Sequence, residues 1–343
     1  MILSTPLPRV LLTDPIDACE AARLGDHAEV VTFDEGGPVS FEHEIAGASF
    51  VVVRRAIPAA ALERATHLRA LVRHGAGLDF IPVEAATRLG IAVTNTPSVN
   101  ARSVAEHVFG LVISLARRIA ENDAGIRSGK WQTLRAAAPR SAEISGKTLG
   151  LVGFGGIGQA IAQIAKHGFG MNVLAATRRP REDENGILFR PLVEVAAKAD
   201  ILVVACPLSE HTHNLVCEEI ISAMPPNAIL VNVARGPIID EAAVAAALHS
   251  GQLGGAALDV FANQPLPADS PLRSAPNALL SPHVAGVTAE AMARMSRTAV
   301  DDILKMILGD EPRHLVNRKA WPLIAKRWDQ LERYDRAPDS RQS

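Results

Sequence analysis

The sequence contains little cysteine and has no excess of charge of either sign. Its three cysteines, Cys19, Cys206 and Cys217, are far apart and lack the spacing of metal ligands, which predicts small buried residues in a reducing compartment and no disulfide framework. The 35 basic and 37 acidic residues give a formal net charge of −2. This balance argues against binding to nucleic acid or to an anionic membrane, because both need a positive field.

Long apolar runs and repeats are also missing from the sequence. A long uncharged stretch, residues 242–258, contains polar side chains and three glycines, which makes it a poor candidate for a membrane span. No basic segment followed by an apolar core precedes Arg9, so no signal peptide is predicted and we expect a cytoplasmic protein. We find no fixed-period repeat and no low-complexity tract.

The chain is long enough for two globular domains, with 343 residues of which 48% are hydrophobic and 21% charged. Short β-rich runs alternate with helical patterns, and this alternation predicts βαβ units around two parallel sheets. The predicted strands of the first sheet are residues 9–13, 28–33, 50–54, 68–73 and 91–95. Those of the second sheet are residues 147–152, 171–175, 201–205, 229–233, 255–260 and 278–281.

Helical segments are predicted between the two series of strands and after the second. Residues 101–122 carry apolar side chains at helical spacing and predict one long helix, whereas residues 123–144 are expected to be irregular. Residues 289–308 are helical in period, and we expect them to pack back on the first domain. Residues 319–343 become increasingly polar and are expected to fray, with Trp321 and Trp328 as packing anchors.

These patterns predict an α/β protein of two doubly wound domains. The smaller domain is expected to be discontinuous and to consist of residues 1–99 and 286–343. The larger domain is expected to consist of residues 100–285.

A glycine motif lies between the first strand of the second series and the helical run that follows. Gly153, Gly155 and Gly158 have the G-x-G-x-x-G spacing, and Gly156 and Ile157 complete the segment. In this context the first glycine permits a tight turn, the second lets the backbone approach a pyrophosphate, and the third allows close packing of helix on strand. The motif predicts a dinucleotide site, for which a glycine-rich turn without a ligand is the alternative.

The end of the next predicted strand indicates which dinucleotide binds. An NAD site places a carboxylate there for the ribose 2′-hydroxyl, but this sequence has Thr177 followed by Arg178 and Arg179. Two guanidinium groups and a hydroxyl suit a 2′-phosphate. The pattern predicts a preference for NADP(H), with NAD(H) open as a second cofactor and a solvated arginine pair as the alternative.

Three further segments follow predicted strands, at the edge where open α/β sheets bind ligands. They are residues 231–236 (VNVARG), 257–267 (ALDVFANQPLP) and 281–286 (SPHVAG). Together with the glycine segment and residues 94–107, they closely resemble the D-isomer-specific 2-hydroxyacid dehydrogenases, and the resemblance covers residues 8–318.

The resemblance implies a Rossmann-type cofactor domain and a smaller flavodoxin-like substrate domain, with a cleft between them. It implies hydride transfer between NAD(P)H and a small 2-oxo or 2-hydroxy acid. It also implies a homodimer in which helix 101–122 and the segment around Trp131 pack on the partner's cofactor domain.

The resemblance assigns the substrate and catalytic roles to a small set of side chains and loop amides. Arg235 would grip the substrate carboxylate and polarise its ketone, and His283 would be the general acid and base. Main-chain donors of the loop at Ala76 and Gly77 would meet the same carboxylate. Arg54 would contact a distal anionic group in a phosphoglycerate-type relative, although a solvated pair with Arg55 explains it equally well.

The resemblance also assigns further contacts to the cofactor. Asp259 would receive the nicotinamide carboxamide, Ala234 and Ala285 would line the nicotinamide ring, and Cys206 and Pro207 would lie near a ribose. Thr212 belongs to the same expected cofactor-binding set. His211 and His213 lack a third ligand and are interpreted as solvated, so no metal site is predicted.

One position departs from the family pattern. The family usually has a glutamate where this sequence has Gln264, and that carboxylate favours the charged form of the catalytic histidine. An amide can orient the ring of His283 but supplies no charge. The hypothesis is that ketone reduction declines at a lower pH here than in relatives with the acid.

The sequence by itself leaves several functions open. A glyoxylate or hydroxypyruvate reductase is the leading interpretation, because these relatives commonly have Thr or Ser followed by Arg at the cofactor position. The alternatives are a phosphoglycerate- or sulfolactate-type dehydrogenase, a formate dehydrogenase-like oxidation, which also pairs a glutamine with the histidine, and a non-catalytic NAD(P)-sensing corepressor.

Overall fold

The computed structural model describes residues 7–336. Its strands are β1 (Arg9–Leu12), β2 (Glu29–Thr32), β3 (Phe50–Val53), β4 (Ala70–Arg73), β5 (Ala92–Thr94), β6 (Thr148–Val152), β7 (Asn172–Ala176), β8 (Ile187–Phe189), β9 (Ile201–Val204), β10 (Ala228–Asn232), β11 (Leu253–Leu258) and β12 (Ala278–Leu280). Its α-helices are α1 (Ala18–Gly25), α2 (Phe41–Ala46), α3 (Ala59–Arg64), α4 (Val83–Arg88), α5 (Ala101–Ala116), α6 (Ile119–Arg127), α7 (Trp131–Ala137), α8 (Gly156–Phe169), α9 (Leu192–Lys198), α10 (Glu218–Ala223), α11 (Glu241–Ser250), α12 (Ala289–Ile307) and α13 (Trp321–Arg336).

The chain divides into two compact units. Unit 1 consists of Met1–Asn100 and Ala289–Ser343, and unit 2 consists of Ala101–Thr288. Each unit contains one sheet whose strand pairs are all parallel, as the alternation of strands and helices predicts.

Unit 1 is built on a five-stranded sheet with the order β2-β1-β3-β4-β5. This is the flavodoxin-like order expected for the smaller domain. Successive residues of a strand point to opposite faces, so Val10 and Val52 enter one apolar cluster while Leu11 and Val51 enter another. Helix α12 contributes to the first cluster through Ile303 and neighbouring side chains, which places it in unit 1.

Unit 2 is built on a seven-stranded sheet with the order β12-β11-β10-β9-β6-β7-β8. Taken from β8 to β11, this is the Rossmann order, and β12 extends it at one edge. All of these strands are parallel, so the carboxyl ends of β6, β10, β11 and β12 lie at one edge of the sheet. That edge carries the glycine motif and the three segments singled out above.

The region after β5 differs from the sequence prediction. One long helix over residues 101–122 is wrong, because Arg118 has φ 53° and separates α5 from α6. The irregular segment predicted for residues 123–144 is also wrong, because it contains the end of α6 and all of α7. A Cβ at Gly125 would lie 2.6 Å from Leu134 Cδ1, so these two helices pack closely on each other. Both helices are short, so the sequence contains no long apolar stripe that would have predicted them.

Two other expectations need correction. The segment from residue 319 does not fray at its start: α13 runs from Trp321 to Arg336, with Trp328 buried and its Nε1 donating to the carbonyl of Arg69 at 3.2 Å. Residues 337–343 of that prediction lie outside the described range. The three cysteines are free, but none is fully buried as predicted: Cys19 is exposed, and Cys206 and Cys217 are half-buried. Between residues 7 and 336, no helix is both long enough and apolar enough to cross a bilayer.

Candidate active site

The glycine motif forms the turn from β6 into α8, and its three glycines are needed for different reasons. Gly153 has φ 100°, and a Cβ there would lie 2.8 Å from the main chain of Cys206. A Cβ at Gly158 would lie 2.5 Å from the carbonyl oxygen of Gly153, so helix and strand approach closely. A Cβ at Gly155 would meet nothing within 4 Å. Open space thus faces the first turn of α8, whose N–H groups suit a diphosphate.

The end of β7 carries two arginines without an acidic partner. Thr177 is half-buried and its Oγ1 donates to the carbonyl of Arg179 at 2.7 Å. Arg178 and Arg179 are exposed, and neither forms a hydrogen bond or ion pair through its side chain within the described residues. No carboxylate occupies the position that would repel a 2′-phosphate.

The neighbouring arginines of unit 2 are partnered, in contrast to this pair. Arg190 binds Asp183 at 2.9 Å, and its guanidinium holds the pKa of that carboxyl below its usual range. Arg181 pairs with Glu184 and lies over aromatic rings. Two of the three acids that follow the arginine pair in sequence, Asp183 and Glu184, are therefore engaged elsewhere, and the third, Glu182, forms no ion pair with Arg178 or Arg179 in the described residues.

Arg235 follows β10 in a turn held by Asn232. The buried Asn232 side chain donates to the carbonyl of Arg235 at 2.9 Å and accepts from the N–H of Ala234 at 3.0 Å. The Arg235 side chain donates to the Ala234 carbonyl at 2.6 Å. A Cβ at Gly236 would lie 1.9 Å from the carbonyl carbon of Phe261, so only glycine fits there. This positioning role of Asn232 was not predicted from the sequence.

His283 follows β12 and has an unusual backbone conformation for a non-glycine residue, with φ 56°. Its Nδ1 lies 3.1 Å from Oε1 of Gln264. The Gln264 amide is oriented by its Nε2, which donates to the carbonyl of Phe261 at 3.3 Å. An amide oxygen only accepts, so this contact places a proton on Nδ1 of the imidazole.

Asp259 is almost fully buried, at 1% exposure, and accepts hydrogen bonds from the loop that carries His283. Its Oδ1 accepts from the N–H of Val284 at 2.9 Å and its Oδ2 accepts from the N–H of Ala285 at 2.8 Å. The family resemblance assigns this residue to a nicotinamide carboxamide, and that contact stays a prediction. In the structure both oxygens hold the loop after β12.

The other residues predicted to line the cofactor lie at the same edge of unit 2. Ala234 and Ala285 are buried, and Cys206 is half-buried. Burial raises the pKa of the Cys206 thiol to about 11, so it is neutral near pH 7. Thr212 organises the following turn, because its Oγ1 donates to the carbonyl of Pro207 at 2.8 Å and accepts from Ser209 N at 2.7 Å.

His211 and His213 are both exposed, and they lie on the two sides of Thr212 in the turn after Pro207. Within the described range, no group of three or more His, Cys, Asp or Glu side chains is placed to hold a metal ion.

In unit 1, the loop after β4 is held through its carbonyl groups. Arg73 donates to the carbonyls of His74 at 2.8 Å and Gly77 at 2.9 Å. The Gly75 carbonyl accepts from Thr96 N at 3.0 Å, and the Ala76 carbonyl accepts from Asn95 Nδ2 at 2.8 Å. Four successive carbonyls are therefore occupied.

The N–H groups of Ala76 and Gly77 have no acceptor among residues 7–336, and both residues are partly exposed. Two adjacent main-chain donors of this kind suit a carboxylate. Sequence reasoning named these two residues but missed Arg73, which holds the carbonyl side of the loop. The signal that could have found it is an arginine at the end of a buried strand, directly before the loop.

His74 is buried at 3% exposure in the same loop. Its Nε2 lies 2.9 Å from the hydroxyl of Ser296 on α12. Burial, together with the charges of Arg54 and Arg73, lowers the pKa of His74 to about 4. The imidazole is therefore neutral at pH 7.

The two arginines that follow β3 differ in their partners. Arg55 binds the carboxylates of Asp14 at 3.1 Å and Glu35 at 3.0 Å. Arg54 donates to the carbonyl of Pro15 at 3.0 Å and pairs with no carboxylate in the described part of the chain. Arg54 is thus the one of the pair that keeps an uncompensated charge.

Comparison with known proteins gives consistent matches along the chain. Residues 109–285 match the family model for the D-isomer specific 2-hydroxyacid dehydrogenase, NAD binding domain. A glyoxylate reductase of Aeropyrum pernix is 36% identical over 324 residues, covering 91% of this chain and 96% of that relative. A glyoxylate/hydroxypyruvate reductase B of Yersinia enterocolitica is 36% identical over 318 residues, covering 90% and 97%.

A solved structure matches as well. It is an NADPH-dependent glyoxylate/hydroxypyruvate reductase from Sinorhizobium meliloti in complex with NADP and malonate. Its TM-score is 0.80 at 33% identity, and the match covers 92% of this chain and 98% of that chain.

Proposed function

The chain belongs to the D-isomer specific 2-hydroxyacid dehydrogenase family, and from this premise we propose that it is an NADP(H)-dependent reductase of glyoxylate and hydroxypyruvate. One observation carries the proposal. The glycine turn, Arg235 and His283 all follow parallel strands at the same edge of the unit 2 sheet, where open α/β sheets bind ligands.

The residues at the glycine turn and after β7 fit a dinucleotide with a 2′-phosphate. The open backbone at Gly155 and the first turn of α8 would hold the diphosphate. Arg178 and Arg179 would hold the 2′-phosphate, because their guanidinium groups have no acidic partner in the described residues. When bound, the reduced cofactor supplies a hydride.

Arg235 and His283 carry the roles on the substrate side. Arg235 binds the carboxylate of the 2-oxo acid and stabilises the negative charge that develops on the ketone oxygen. His283 gives a proton to that oxygen in reduction and takes it back in oxidation. Gln264 orients the imidazole through Nδ1. The free N–H groups of Ala76 and Gly77 support the prediction that this loop binds a carboxylate.

A substrate with a second anionic group is the other candidate. The observation that favours it is Arg54, which has no carboxylate partner within residues 7–336, whereas Arg55 has two. A phosphorylated or sulfonated 2-hydroxy acid would then be preferred over glyoxylate.

We also propose a homodimer. Helices α6 and α7 expose three large apolar side chains: Ile119 at 50%, Ile126 at 47% and Trp131 at 63%. Exposed apolar residues of this size, gathered on two short neighbouring helices, are typical of a protein–protein contact.

The test is a substrate panel measured by NADPH and NADH oxidation. We expect the highest kcat/KM with NADPH and either glyoxylate or hydroxypyruvate, and lower values with pyruvate and phenylpyruvate. Highest activity with a phosphorylated or sulfonated 2-oxo acid would favour the second candidate. Oxidation of formate by NADP+ would favour the formate dehydrogenase-like reaction. Tight NADPH binding without turnover of any 2-oxo acid would favour a sensor.

A further inference from the structure

The loop that carries His283 is gathered around one residue. The carbonyl oxygen of Asp259 accepts from the N–H of His283 at 2.8 Å, and the two carboxylate oxygens accept from the next two N–H groups along the chain. Three successive N–H groups therefore point at Asp259. This arrangement stabilises the left-handed conformation of His283, which a residue with a side chain rarely adopts.

The carboxylate has a third contact, made by a serine hydroxyl. Ser281 Oγ lies 2.6 Å from Oδ1 of Asp259 and 3.2 Å from Nε2 of His107 on α5. An ionised carboxylate only accepts, so the single proton of Ser281 is donated to Asp259. The hydroxyl must then accept from His107, and Nε2 of His107 must carry a proton.

His107 also lies close to the buried carboxylate of Asp259 itself. Its Nε2 lies 3.6 Å from Oδ1 of Asp259, and its side chain is 26% exposed. Burying a carboxylate is unfavourable unless hydrogen bonds and nearby charge compensate it. Gln264, the partner of the His283 ring, supplies no charge.

Helix α5 is well placed to anchor this chain of contacts. Its apolar side chains, including Val104 and Val108, pack in one cluster with residues of α8 and the unit 2 sheet. His107 projects from this rigid helix to the ends of β11 and β12. The residues that form these contacts, His107, Ser281, Asp259 and His283, all belong to unit 2.

We propose that His107 and Ser281 are positioning residues that act through Asp259 to hold the His283 loop. The role in catalysis rests on the function proposed above, whereas the hydrogen-bonded chain itself does not. Without the N–H of His107, the Ser281 hydroxyl is free to turn away from Asp259. The loop then samples other conformations, and His283 spends less time in its productive orientation.

The first test uses paired variants. We expect His107→Leu and Ser281→Ala each to lower kcat on the order of tenfold, with KM for NADPH and Tm nearly unchanged. His107→Gln and Ser281→Thr keep the donor and the hydroxyl, and they should recover most of kcat. The double variant should lose no more than the worse single variant, because both remove one chain of contacts.

The exposed His249 provides a matched control, and His249→Leu should leave kcat unchanged. The proposal is wrong if His107→Leu keeps full kcat, or if the glutamine variant is as impaired as the leucine variant. It is also wrong if kcat falls only in those variants whose Tm falls as well.

The second test does not need turnover. Long-range nitrogen–proton NMR of the protein labelled with ¹⁵N-histidine should show His107 protonated at Nε2, and Ser281→Ala should shift the signals of both His107 and His283. An unprotonated Nε2 would overturn the inference. If the wild-type protein reduces no 2-oxo acid but these NMR results hold, the proposed function fails and the hydrogen-bonded chain stands.

Discussion

The imidazole of His283 is held by a neutral partner, with Nδ1 at 3.1 Å from Oε1 of Gln264. The amide is itself oriented, because its Nε2 donates to the carbonyl of Phe261 at 3.3 Å. The pair therefore fixes the ring without stabilising a positive charge on it.

Replacing this amide by an acid should change the pH dependence of reduction. In the proposed reduction His283 gives its proton to the ketone oxygen, so the rate should fall as pH rises and the ring loses that proton. In Gln264→Glu the carboxylate favours the imidazolium, and we expect the decline of kcat/KM to move up by roughly one pH unit. Profiles from pH 5 to 9 measure this shift, and superimposable profiles would contradict the prediction.

The arginine pair after β7 should select the cofactor. Arg178→Ala combined with Arg179→Ala should weaken NADPH binding about 100-fold or more, because two charge-assisted hydrogen bonds of at least about 1.5 kcal/mol each are lost and about 1.4 kcal/mol corresponds to a factor of ten. NADH binding should be nearly unchanged. Arg190→Ala is the matched control, since that arginine already pairs with Asp183. Dissociation constants from fluorescence titration measure the effect, and equal weakening of NADPH and NADH would count against it.

His74 should make unit 1 sensitive to mild acid. Its pKa is about 4 in the folded protein against 6.5 for a free histidine, so the unfolded state binds more protons between these values. The contribution of the buried, neutral His74 to the free energy of unfolding is fully present above pH 6.5 and is lost as pH falls toward about 4. One pKa unit corresponds to about 1.4 kcal/mol, so the loss is about 3 kcal/mol.

Denaturation of His74→Asn tests this dependence, because asparagine does not titrate. The chain has three tryptophans, and in a Trp131→Phe background the two that remain, Trp321 and Trp328, lie on α13 of unit 1 and report its unfolding. The difference in pH slope between the two proteins should appear between pH 4 and 6.5. His249→Asn should keep the slope of the parent, and parallel slopes for His74→Asn would refute the prediction.

Gly236 should not tolerate a side chain. A Cβ there would lie 1.9 Å from the main chain at Phe261, so Gly236→Ala must displace the turn that carries Arg235. We expect a loss of about 3 kcal/mol or more in unfolding free energy, together with reduced kcat. Gly110→Ala is the control, because a Cβ there meets nothing within 4 Å and alanine favours α5 by about 0.5–1 kcal/mol. Thermal denaturation of both variants measures the contrast.

The proposed dimer depends on α6 and α7. Trp131→Asp places a charge on the most exposed large apolar side chain of these helices and should produce a monomer, since an unpaired buried charge is strongly unfavourable. Light scattering after size exclusion measures the mass. Val193→Asp, at a position 54% exposed on α9, should leave the assembly intact. A dimeric Trp131→Asp protein would place the contact elsewhere.

Most strands could be predicted from the sequence because a strand covered by helices on both faces is a short, nearly uncharged run. β8 was missed, although β5 and β12, which are also three residues long, were predicted. The break between α5 and α6 was also missed. Arg118 takes a left-handed conformation without the glycine or asparagine that usually signals it.

The sequence alone determined the glycine turn and the arginine pair after β7, because each depends on neighbours along the chain, whereas Arg235 and His283 were assigned through the family resemblance. The tertiary structure decided what holds them. Asp259 meets the His283 loop only after β11 and β12 align in parallel, and His74 meets the hydroxyl of Ser296 only after α12 packs on the first sheet. Hydrogen bonds between such groups depend on position in space, which no local pattern encodes.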